Sequence, residues 1–161
     1  MILRPYQKIA VDDASIALDK HKNTIVVAPT GAGKTIMLSA LIGKRYKKGK
    51  KILVLQHRDE LVSQNKTKFT RVNPKITTSV VDGTEKDWSG DAIFSMVQTL
   101  SRPNNLDNMC NFDMIVVDES HHAIAETYTR IINRIKEANN SVEIVGFTAT
   151  PNRGDKKGLR N

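Results

Sequence analysis

Short, continuous apolar runs alternate along this chain with longer stretches of helical periodicity. Ile52-Leu53-Val54-Leu55 and Met114-Ile115-Val116-Val117 are too short for helices and apolar throughout, as expected for strands covered on both faces. The β-branched run Thr24-Ile25-Val26-Val27 reads as another buried strand. Further strands are predicted at 76–81, 91–95 and 142–147. A helix is expected over residues 5–19, with Pro5 at its first position and Tyr6, Ile9, Ala10 and Ala17 near one face. A second begins near Lys34 and carries Ile36, Met37, Ala40 and Leu41. A third follows Arg58 and runs to about Phe69. Residues 126–138 place Tyr128, Ile131, Ile132 and Ile135 at i, i+3, i+4 and i+7. The segment 102–111, rich in Asn, reads as a connection. Strands alternating with helices predict an α/β domain whose sheet is mostly parallel, with helices on both faces.

Composition narrows the picture modestly. The 161 residues suit one domain, and 39% hydrophobic with 26% charged residues is ordinary globular composition. Lys and Arg number 25 against 17 Asp and Glu, a net charge of +8 that fits a polyanionic partner such as nucleic acid as well as a plain basic surface. The single cysteine, Cys110, excludes an internal disulfide and a cysteine metal cluster and suits a reducing, intracellular (cytoplasmic) compartment. No run approaches the roughly 20 apolar residues of a membrane helix, and the first residues lack the apolar stretch of a signal peptide. The basic run Lys44 to Lys51 reads first as a solvated connection between helix and strand.

The chemistry concentrates after strand ends, where open α/β sheets bind ligands. Ala28-Pro29-Thr30-Gly31-Ala32-Gly33-Lys34-Thr35 has the layout of a phosphate-binding loop, with Ala28 where the common pattern has glycine. Gly31 and Gly33 lack Cβ atoms, so backbone N–H groups can close around phosphate oxygens. The helix N-terminus aims its positive dipole end at the same anion. Lys34 can reach the β- and γ-phosphates, and the Thr35 hydroxyl can coordinate magnesium. Asp118, after four apolar residues, is placed to hold that magnesium, and Glu119 can polarise the attacking water. Gln7 can pair with the N6 and N7 edge of adenine, although by itself it reads as a surface residue. Arg58 can pair with phosphate, while Gln98 and Thr99 can bond phosphate or sugar or simply cap a strand end. His121 and His122 point apart and lack a ligand cluster, so they are not expected to hold a metal.

These segments together resemble the first lobe of a superfamily 2 helicase of the DEAD/DEAH-box group. Leu3-Arg4-Pro5-Tyr6-Gln7, Ala28 to Thr35, Gln56 to Leu61, Val97 to Leu100, Asp118-Glu119-Ser120-His121-His122 and Thr148-Ala149-Thr150-Pro151 stand in the family's motif order. The start, His57-Arg58-Asp59-Glu60-Leu61, and Thr148 to Arg153 are most similar to the type III restriction-enzyme helicase subunits. The resemblance implies a RecA-like P-loop NTPase domain over 1–151, with 152–161 leading toward a second lobe. It implies ATP and Mg2+ as cofactors, held by Pro29, Thr30, Gly31, Ala32, Gly33, Lys34, Thr35 and Asp118. It implies adenine recognition by Gln7 with Arg4 nearby, and hydrolysis supported by Lys34, Asp118 and Glu119. His121, Thr148 and Thr150 would couple nucleotide state to nucleic acid, which His57, Arg58, Gln98 and Thr99 would touch. DNA is the expected partner ahead of RNA. The family's second lobe and its arginine finger would lie outside this chain, so the lone lobe is expected to hydrolyse ATP poorly. A nucleotide-binding module that remodels a protein partner stays open as another class. A P-loop kinase fits less well, because tandem Asp118-Glu119 and Thr-Ala-Thr have no place in it.

Overall fold

The computed structural model describes residues 3–28, 33–118 and 126–149, with only the backbone at Asp59, Glu60 and Ala149. Helix α1 (Pro5–His21) leads into β1 (Asn23–Ala28). Then come α2 (Lys34–Arg45), β2 (Ile52–Gln56), α3 (Asp59–Val72), β3 (Thr78–Val81) and β4 (Ala92–Met96). Two short helices, α4 (Val97–Leu100) and α5 (Pro103–Asp107), precede β5 (Met114–Asp118), α6 (Glu126–Ala138) and β6 (Glu143–Ala149). The described strands form one sheet in the order β1-β6-β5-β2-β4-β3, and every neighbouring pair is parallel. The α/β expectation therefore holds.

The two cores follow from strand alternation. Ile52, Val54, Phe94, Met114 and Val116 point to the face covered by α1, α2 and α3, where Leu18, Leu41 and Phe69 pack. Leu53, Leu55, Ile93, Ile115 and Val117 point to the face of α4, α5 and α6, where Leu106, Tyr128, Ile131 and Ile135 pack. Crossovers moving one way along the sheet put α2 and α3 on one face. Those returning put α4 to α6 on the other, as right-handed connections require.

Three expectations change. First, α1 buries Val11, Ala14, Ser15 and Leu18, together with Gln7, whereas Tyr6 and Ile9 are exposed. Apolar residues lie on both sides of this helix, Val11 and Leu18 inward and Ile9 and Ile16 outward, so periodicity did not define its buried face. Second, 102–111 is not a plain connection. Pro103 presets the first helical position of α5, and Leu106 and Met109 are buried. Third, β1 is half-covered. It stands at an edge among the described strands, and Ile25 and Val27 are 52% and 48% exposed.

The basic run behaves as a connection with structural anchors. Arg45 donates to Glu143 Oε1 and Oε2 (2.8 and 2.5 Å), to Asp19 Oδ1 (2.8 Å) and to the Ser15 carbonyl (2.9 Å), tying α1 and α2 to β6. Lys51 Nζ donates to the carbonyls of Trp88 and Gly90. Lys47, Lys48 and Lys50 remain exposed. Cys110 is half-buried, and burial pushes its thiol up, away from thiolate chemistry.

Candidate functional site

The first crossover carries the chain from β1 past two sheet positions to β2, and β6 and β5 later fill the gap. Four strand ends therefore meet at one edge. Ala28 of β1 is level with Ala149 of β6, and Asp118 of β5 is level with Phe147 of β6. Leu55 of β2 is level with Val117 of β5, which brings Gln56 beside Asp118.

The side chains converge accordingly. Lys34 Nζ lies 3.0 Å from Asp118 Oδ1, with the Asp118 side chain 3% exposed and that of Lys34 20%. Gln56 Nε2 and Asn65 Nδ2 both donate to Asp118 Oδ2, at 3.1 and 3.0 Å. The Thr35 hydroxyl donates to Asn65 Oδ1 at 2.8 Å. One connected network thus joins the start of α2 to the ends of β2 and β5 through α3. Gln56 Oε1 is buried without a partner among the described residues, leaving an acceptor at the site. The donor set a cation would meet, the Thr35 hydroxyl and the Asp118 carboxylate, is all oxygen, the chemistry that suits magnesium.

Gly33 sits at φ +77°, the left-handed region, and a Cβ there would lie 2.7 Å from Gln7 Nε2. Gln7 therefore stands against Gly33, just before α2. It is 6% exposed, which overturns its reading as a surface residue. The backbone N–H of Arg4 donates to its Oε1 at 2.9 Å, which fixes the amide.

The remaining expected residues separate. Arg58 Nε donates to His57 Nε2 at 3.3 Å, in the turn between β2 and α3. Gln98 is exposed on α4. Thr99 is 1% exposed, and its backbone carbonyl accepts from Asn105 Nδ2 at 2.7 Å. Thr148 is buried inside β6, level with Val27. Pro29, Thr30, Gly31, Ala32, Glu119, His121 and Thr150 lie outside the described residues.

The model of the type III restriction enzyme res subunit family matches residues 1–153. The chain belongs to that family. Among its relatives is IRC3 of Saccharomyces cerevisiae, a candidate ATP-dependent helicase, 31% identical over 171 residues that cover 98% of this chain and 25% of IRC3. The DNA 3'-5' translocase XPB2 of Sulfurisphaera tokodaii is 30% identical over 96% of this chain and 32% of its own length. The crystal structure of the Pyrococcus furiosus Hef helicase domain superposes with a TM-score of 0.77 at 25% identity, covering 97% of this chain and 34% of that one. The chain thus spans about a quarter to a third of these proteins.

Within this family member, motif reading missed Gln56 as a partner of Asp118 and missed Asn65 altogether. A signal for Asn65 was present. The inward stripe of α3 reads Val62, Asn65, Phe69, so a polar residue occupies an apolar position of an amphipathic helix. Among the described residues, no helix is long and apolar enough to cross a membrane.

Proposed function

We propose that this chain is the ATP-binding lobe of a DNA helicase or translocase, in which residues 1–151 form the lobe and 152–161 lead toward a second one. The observation that carries the reading is the 3.0 Å approach of Lys34 to Asp118 beside Thr35, because a cation and a buried carboxylate 84 positions apart have met at the phosphate-binding turn. In this reading Lys34 leaves Asp118 to contact the phosphates of ATP, and Asp118 and Thr35 hold magnesium. When bound, that ion would neutralise charge on the phosphate oxygens. Gln7, with Arg4 beside it, orients adenine. Glu119 takes a proton from the attacking water. His57, Arg58 and Gln98 meet the nucleic-acid backbone at the same sheet edge, and His121, Thr148 and Thr150 relay the nucleotide state to them. An arginine from a second lobe would complete the charge stabilisation, which in related nucleotidases is worth about 10³–10⁵ in rate.

The test is direct. The purified chain should bind a fluorescent ATP analogue in magnesium, and Lys34→Ala should abolish that binding. It should bind single-stranded DNA with an affinity that falls steeply with salt, as phosphate contacts do. It should hydrolyse ATP slowly with or without DNA, and robust DNA-stimulated hydrolysis would show that no second lobe is needed.

A further inference from the structure

Asn65 sits two turns into α3, is 3% exposed, and bridges two groups from distant parts of the chain. Its orientation follows from chemistry. The Asp118 carboxylate can only accept, so the Asn65 amide nitrogen must face it, and the Asn65 oxygen must then face Thr35. The Thr35 hydroxyl has one proton, and that proton is committed to Asn65. Its lone pairs are thereby turned away from α3. On the other side, Asn65 Nδ2 and Gln56 Nε2 hold Asp118 Oδ2, while Lys34 occupies Oδ1. One amide therefore sets the direction of the hydroxyl lone pairs and, together with Gln56 and Lys34, the rotamer of the carboxylate.

We infer that Asn65 is a positioning residue for the divalent cation of the nucleotide site, holding its two protein oxygen ligands, Thr35 Oγ1 and Asp118, in register. The inference rests on the reading of this edge as a magnesium–nucleotide site. Asn65 does not touch the cation; it acts through Thr35 and Asp118. Because α3 begins beside His57 and Arg58, the same contact fixes that helix to the nucleotide edge.

The test separates metal from nucleotide. Binding of a fluorescent, non-hydrolysable ATP analogue is titrated with magnesium and, separately, measured in EDTA, on the whole chain with folding checked by thermal melting. Asn65→Leu keeps the shape and removes both hydrogen bonds. The magnesium concentration for half-maximal binding should rise about 10–100-fold, the loss typical when a residue that orients metal ligands is removed. Binding in EDTA should stay within about twofold of wild type. Thr35→Val should shift the metal dependence in the same direction as Asn65→Leu, and the double variant should fall short of the sum of the two, because part of the Asn65 effect acts through Thr35. If Asn65→Leu fails to fold, Asn65→Ser serves in its place, because serine cannot span both partners. A folded variant with unshifted magnesium dependence, or one that loses EDTA binding equally, overturns the inference and leaves the nucleotide site standing. A wild-type chain that binds no nucleotide overturns the site and the inference together.

Discussion

At the scale of single residues, Lys34 and Asp118 define the resting state of the site. Each holds the group that the other would give to a ligand. A nucleotide arriving without metal must compete with Asp118 for the Lys34 ammonium. Asp118→Asn removes the competing charge and keeps an oxygen for Gln56 and Asn65. Affinity for nucleotide in EDTA should then rise about three- to tenfold, the effect of losing an ion pair worth about 1 kcal/mol, while the magnesium-dependent gain disappears. Fluorescence titration of both states checks this, and weaker binding in EDTA would show that the pair does not compete. The residues of this pair were legible in the sequence because their chemistry follows a local pattern, a glycine turn or an apolar strand ending in a carboxylate. Gln56 and Asn65 were not singled out. Their partner lies 62 and 53 positions away, and only sheet order decides that β2 adjoins β5.

At the scale of elements, the strands were the most readable parts, because β2 and β5 are covered on both faces and need apolar residues at every position. Helix faces were readable only where one side is polar. The stripe of α6 stood out, with Tyr128, Ile131 and Ile135 buried, whereas α1 carries apolar residues on two sides and its buried side could not be chosen locally. What fixes α1 is partly polar. Arg45 on α2 grips Ser15 and Asp19 on α1 and Glu143 on β6. Arg45→Ala leaves Glu143, a mostly buried carboxylate, without its cation, and should cost about 3 kcal/mol. For a chain of this size that lowers Tm by about 6–12 °C, measurable by calorimetry. The contact of Arg45 with Asp19 also sets a pH dependence. Hydrogen bonding to Arg45 holds the Asp19 carboxyl below its ordinary 3.8. Its contribution is therefore fully present above that ordinary value and is lost as pH falls through the lower folded one. Asp19→Asn should lower stability at neutral pH and leave it nearly unchanged well below about pH 4, so the acid limb of the stability curve flattens, which thermal melting across pH checks.

At the scale of the whole molecule, the sheet places its chemistry along one edge and its cation-rich helix ends along the opposite one. Lys20 and His21, Lys44 and Arg45, Arg71 and Lys136 all fall in last helical turns, where positive charge complements the exposed carbonyls. That arrangement accounts for part of the +8 excess without a ligand, so charge by itself could not separate a nucleic-acid surface from well-capped helices. The half-covered strand β1 has a separate consequence for how the protein behaves in a tube. Ile25 and Val27 form an exposed apolar pair on it, and mutual repulsion between copies carrying +8 should oppose contact between such pairs. At 1 M salt the repulsion reaches only about 3 Å. Light scattering should therefore show particle size growing with salt, opposite in sign to the salt dependence expected of the proposed DNA binding, and Ile25→Lys should suppress the growth. A stock stored in concentrated salt to strip bound nucleic acid would be the one that clouds first.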